Sequence, residues 1–110
     1  MIDDTVSKIE AQVRGVESLS PERKAELLKL LAALKTEVSA LSKTNADEAQ
    51  SIAKFTAVSA HEATRAEQNQ KLKELSLTGL KSSVEGFEES HPKLVQAVNS
   101  ISQTLSNLGI

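Results

Sequence analysis

Glu88 and His91 stand three residues apart in the stretch GFEESHPKL, residues 86–94. Carried by one helix, they would offer a carboxylate and an imidazole from the same face, the spacing by which di-iron bundle sites hold a metal. Such a site needs two Glu-x-x-His pairs and two further glutamates. The second histidine, His61, has Val58 three positions before it, so one chain cannot complete the set, although two symmetry-related copies could. Glu88 and His91 are thus the metal candidates. The plainer reading is a histidine beside a helix break, hydrogen-bonded or partly solvated.

The other chemistry-bearing groups lack companions. Glu85, Glu88 and Glu89 could serve as paired carboxylates in acid–base catalysis, but no nucleophile or glycine-rich oxyanion loop accompanies them, and a solvated helical face is the expectation. His61 lies in HEATR, which lacks the second histidine of a zinc-protease helix. With no cysteine there is no disulfide, thiolate nucleophile or thiolate metal site. These residues predict a non-enzymatic protein with no catalytic residue and no cofactor.

Charge narrows the partners. Thirteen basic and fifteen acidic residues give a net charge of −2 with the signs interspersed, which is no footprint for nucleic acid. No apolar run approaches the roughly twenty residues a bilayer requires. The start, MIDDTVSK, is acidic and lacks a secretory apolar run. The expected location is the cytoplasm, with no membrane partner.

The elements that must position any site are helices. No Gly or Pro falls between Glu22 and Thr78, and the whole chain has four Gly and two Pro, too few for the turns of an all-β fold. Ile2, Val6, Ile9, Val13 and Val16 recur at alternating spacings of four and three, predicting a first helix over about residues 4–18 that Gly15 weakens or ends early. Ser20 and Pro21 supply a cap and a first helical residue, so 1–43 reads as an αα-hairpin. Its second helix carries the seam Leu27, Leu31, Leu34, Val38 and Leu41.

Residues 44–69 form an Ala-rich helical segment. Asn45 with Glu48 suggests a capping box, Ala49, Ala53, Thr56, Ala60 and Ala63 make a stripe of small residues, Ile52 and Phe55 a second one, and 67–71 reads as a loop. Residues 70–110 read as a C-terminal heptad helix, kinked or broken near Pro92. Its series runs Leu77, Leu80, Val84, Phe87, His91, Leu94, Val98, Ile101, Leu105, Leu108, and Gly109–Ile110 suggests a Schellman stop with Ile110 on Leu105.

The segment Phe87, Glu88, Ser90, His91, Pro92, Leu94 and the ending Leu105, Gly109, Ile110 resemble the close of a bacterial family of small uncharacterised helical proteins, the domain-of-unknown-function family four-four-zero-four. The resemblance covers about residues 80–110 and extends to the leucine-rich N-terminal hairpin only in style. It implies a small helical bacterial protein with no activity or cofactor to carry over.

The combined expectation is an all-α single domain, 1–110: a helical hairpin plus long helices in a bundle or coiled coil completed by oligomerisation. Its function would be that of an interaction or scaffold module, binding a copy of itself or another helical protein. The seams expected to do so are Leu27, Leu31, Leu34, Val38 and Leu41 with Leu80, Val84, Phe87, Leu94, Val98, Ile101, Leu105 and Leu108. The alternative is a metal- or small-ligand-binding protein using Glu88 and His91 at a subunit interface.

Overall fold

The computed structural model describes residues 2–108, apart from the side chain of Asp3. Within them the chain forms five α-helices: α1 Ile2–Arg14, α2 Pro21–Ser42, α3 Ala46–Thr64, α4 Gln70–Ser82 and α5 Pro92–Ser106. Local chemistry accounts for most of the boundaries. The backbone N–H of Gly15 donates to the carbonyls of Ala11 and Gln12 at 3.2 and 3.1 Å, closing α1 four residues before the expected end. Ser20 adopts an extended backbone and its hydroxyl accepts from the Arg23 N–H at 3.2 Å, with Pro21 at the first helical position, where no donor is required. The resulting hairpin is tied by Lys35, whose Nζ lies 2.7 Å from the buried Glu10 carboxylate and 3.3 Å from the Ser7 hydroxyl.

Asn45 does restart the helix, but without the expected capping box. Its side chain makes no cap hydrogen bond; its Oδ1 instead accepts from the Thr44 hydroxyl at 2.8 Å. Asn69 is a genuine cap, accepting from Leu72 N–H at 3.0 Å, so the connection after α3 is residues 65–69 rather than 67–71.

The small-residue stripe explains the architecture. α3 touches all four other helices, whereas α1 meets neither α4 nor α5, and α2 does not meet α4. A helix surrounded on so many sides must let its neighbours approach closely, and Ala49, Ala53, Ala60 and Ala63 provide that clearance at the cost of apolar area per residue. The one polar residue of the stripe is accommodated locally: the buried Thr56 hydroxyl donates to the Ile52 carbonyl at 2.7 Å. Leu, Ile and Val from the other helices supply the bulk around it.

α4 and α5 are separate helices joined by residues 83–91 and packed on each other. The three-and-four spacing from Leu77 to Leu108 therefore does not mark one rod. Leu80, Val84, Leu94, Val98, Ile101, Leu105 and Leu108 are buried on both sides of the break, because each half turns its apolar side to the same core. The ends are held by Lys73, whose buried ammonium donates to the Ser106 carbonyl at 3.2 Å and to the Leu108 carbonyl. Those are carbonyls a helix C-terminus leaves without intrahelical donors, and a cation is favoured beside them. The Schellman contact expected of Gly109 and Ile110 lies outside the described residues.

Candidate interaction face

The segment that first suggested chemistry is not helical before Pro92. Residues 83–86 and 88–90 are turns, and Gly86 has φ +95°, a left-handed backbone that glycine adopts without strain. Glu88 turns back so that its Oε1 accepts from the Gly86 N–H at 2.9 Å. His91 is the residue before α5, its N–H donating to the Phe87 carbonyl at 2.8 Å and its ring set edge-on to Phe87 with centroids 5.7 Å apart. Pro92 is the cause: it has no N–H to continue a helix and disfavours helical geometry in the residue before it. Glu88 and His91 consequently do not share a helix face, and the premise that made them metal candidates is removed. Among the described residues there is no group of three or more His, Cys, Asp and Glu placed to hold a metal ion.

The seams are likewise not available as an interface. Leu27, Leu31, Leu34, Val38 and Leu41 are buried, as are Leu80, Val84, Leu94, Val98, Ile101, Leu105 and Leu108, with Phe87 half-buried against the same core. Both seams are covered within one chain. The expectation that they face another copy assumed long helices too extended to cover each other. Instead α1, α3 and α5 pack on α2, the longest helix.

Large apolar side chains are exposed elsewhere. Phe55 and Val58 on α3 are 39% and 49% exposed, and Leu72 and Leu75 on α4 are 43% and 58% exposed. Each pair is spaced by three residues and so lies on one side of its helix. The two pairs adjoin, because Phe55 lies on Gly79 of α4: a Cβ placed at Gly79 would fall 2.7 Å from Phe55 Cδ1 and closer still to Cε1. Gly79 is one helical turn from Leu75, so the four side chains form one strip along the outer side of the α3–α4 hairpin. An open groove of about 380 Å³ runs off the Phe55 end, with Asp47, Glu48 and Ser51 on one wall and Ser82 and Ser83 on the other. In sequence Leu72, Leu75 and Gly79 were passed over because they fall off the Leu77 series; their spacing of three and four was the signal for a second stripe.

Two other depressions have a different character. A cleft of about 870 Å³ lies where the α1–α2 turn, the end of α3 and Leu108 meet, and it includes Arg23 and Arg65. Arg65 is engaged with Glu62 at 3.0 Å. A groove of about 450 Å³ on α5 is lined mainly by polar side chains, Gln96, Asn99, Ser100 and Gln103 among them. The Lys73 ammonium, held against the carbonyls beyond α5, has its pKa lowered by burial, with nearby Glu74 opposing the shift. Its contacts are structural. No helix among the described residues is long and apolar enough to cross a membrane.

Residues 27–110 match the family model described as Domain of unknown function (DUF4404). That span exceeds the 80–110 segment on which the resemblance rested and takes in all of α3, α4 and α5. No curated protein and no solved structure matches the chain.

Proposed function

The chain belongs to the DUF4404 family of domains of unknown function, and we propose that it acts as a non-enzymatic helical interaction module that self-associates through the outer face of α3 and α4. The observation that carries this reading is the strip of Phe55, Val58, Leu72 and Leu75, left outside a core that already covers both leucine seams. Single exposed apolar residues are ordinary on a protein surface, but contiguous ones rimmed by polar groups mark contact sites. The strip also lies on regular helices, which present their side chains at fixed spacing and lose little conformational freedom on docking.

A dilution series tests this. If the strip is covered by association, the melting temperature falls as the protein is diluted, because only the folded state binds a second copy. Leu75→Asp places a charge where the side chain is already more than half exposed, so it should leave the fold intact and abolish the concentration dependence. A wild-type melting temperature that ignores dilution would remove the self-association reading. So would a Leu75→Asp protein that keeps the dependence.

A further inference from the structure

Resting on the α3–α4 face as the contact surface, we infer that the partner copy covers the strip with its own strip, closing a two-chain assembly whose two-fold axis crosses the face at the level of Val58 and Leu75. The partner surface follows from what the chain can offer. Among the described residues the large apolar side chains exposed at the surface are Phe55, Val58, Leu72 and Leu75, all in the strip. Others that reach the surface, such as Leu28 and Leu30 on α2, are already partly packed against the core. A head-to-tail contact would lay the strip on a more polar surface of the copy and leave the copy's own strip in water. Apposing the two strips removes both from water at once. That contact uses the same patch on each chain, so it is isologous and closes at two.

The position of the axis follows from helix rise. α3 and α4 pack together and are joined by the short 65–69 connection, so they run antiparallel. Residues after Phe55 and residues before Gly79 therefore extend in the same direction from the Phe55–Gly79 contact. At 1.5 Å per residue Val58 lies about 4.5 Å along, Leu75 about 6 Å and Leu72 about 10 Å. Phe55 and Leu72 are thus the two ends of the strip, and its middle is level with Val58 and Leu75. An axis through that level sets middle on middle whichever way it points within the plane of the face. Charge neither opposes nor orients the contact: Lys54, Lys71 and Lys81 are exposed along with Glu67 and Glu74 and form no block of one sign. The 13 residues of α4 are about 20 Å long and two helices are about 20 Å across, a face of roughly 400 Å² against the ~800 Å² per partner of a standard interface. A contact of that size, beside a core completed within one chain, gives a dimer that dissociates on dilution.

Introduced thiols test the arrangement. The chain has no cysteine, so a single new one reports on its copy alone. Val58→Cys and Leu75→Cys replace side chains that are 49% and 58% exposed, and Lys29→Cys, exposed on α2 away from the face, is the control. Under mild oxidation at a concentration where wild type is associated, a disulfide-linked dimer should form in Val58→Cys, in Leu75→Cys or in their equimolar mixture. It should form at least about tenfold faster than in Lys29→Cys, because docking holds the thiols within reach of a bond. The mass of wild type should level off at two chains as concentration rises. A mass that climbs past two chains would show a head-to-tail contact and overturn the closed arrangement. If Leu75→Asp disperses the assembly but none of the three samples links faster than the control, the centred axis is wrong and the contact face stands. A wild type that stays monomeric overturns both.

Discussion

The contact that joins the two halves of the exposed strip gives the sharpest test of the structure. Gly79 lies in the interior of α4, where replacement by Ala ordinarily stabilises a helix by about 1 kcal/mol. Here the new methyl would overlap the Phe55 ring, 2.7 Å from Cδ1, and the ring must swing outward. Phe55 is 39% exposed; since full burial of such a side chain is worth about 1.5–3 kcal/mol, uncovering the rest costs about 1–2 kcal/mol. A displaced rotamer adds roughly 0.5–1.5 kcal/mol. Gly79→Ala should therefore destabilise the protein by about 1 kcal/mol. In a Phe55→Ala background the obstruction is gone, and the same change should stabilise by about 1 kcal/mol, a coupling near 2 kcal/mol with inverted sign. Urea denaturation followed by far-ultraviolet circular dichroism suits a chain without Trp or Tyr. It should be run dilute enough that association does not contribute. If Gly79→Ala stabilised both backgrounds equally, Phe55 would not lie on α4 and the strip would not be continuous.

Other consequences follow from buried polar groups. The Ser59 and Ser102 hydroxyls are buried with no hydrogen-bond partner, so Ser59→Ala and Ser102→Ala should leave stability unchanged or raise it by about 1 kcal/mol, measured by the same urea titration. A loss above about 1 kcal/mol would show that the hydroxyls are engaged. Lys73 has a folded-state pKa below 10.5. Between that lowered value and 10.5 the unfolded chain binds more protons, so wild type should gain stability relative to Lys73→Met as pH rises through that window. The nine other lysines are common to both proteins, so the difference between the two curves reports Lys73 alone, and parallel stability curves would refute the burial of the ammonium. Glu10→Gln should weaken the tie between α1 and Lys35 of α2. Since Lys35 is part-exposed and keeps Ser7 as a partner, a loss of about 1 kcal/mol is expected, and a loss above about 3 kcal/mol would mean that the pair is more deeply desolvated than it looks.

What could be read in advance depended on whether a feature was local. Ser20–Pro21 announces a helix start because capping and proline geometry act within a few residues, whereas Asn45 marks the place of the next start without making the cap that its residue type suggested. The small-residue stripe of α3 was visible as a pattern, but its meaning was not: only the arrangement of the other helices makes it the element that touches all of them. Periodicity reports which side of a helix is apolar and is silent on what covers it. Leu27–Leu41 and Leu77–Leu108 therefore looked like surfaces for a second chain, whereas α1, α3 and α5 cover the first, and α2, α3 and the packing of α4 on α5 cover the second. The same limit misled at His91. A spacing of three and four continues from Val84 through Phe87 to Leu94, yet Gly86 and Pro92 break the helix, and backbone geometry overrides the pattern at those residues.

The contact face was hidden for the complementary reason. Phe55 was noticed beside Ile52, one turn away, but Ile52 is buried and Phe55 is not; a difference of three positions on α3 separates core from surface. Leu72 and Leu75 were overshadowed by the stronger Leu77 series on the same helix. A second apolar stripe next to a first becomes informative only when the first is known to be satisfied, and that knowledge is tertiary.

The proposal that this chain acts by associating through α3 and α4 is tested most directly by sedimentation equilibrium of wild type and Leu75→Asp across a hundredfold range around about 10 µM, a span over which weak to moderate dimers dissociate. The account predicts a wild-type mass that rises from one chain toward two with concentration, and a Leu75→Asp protein, equally helical, that remains one chain throughout. A wild type that sediments as one chain at every concentration would contradict it.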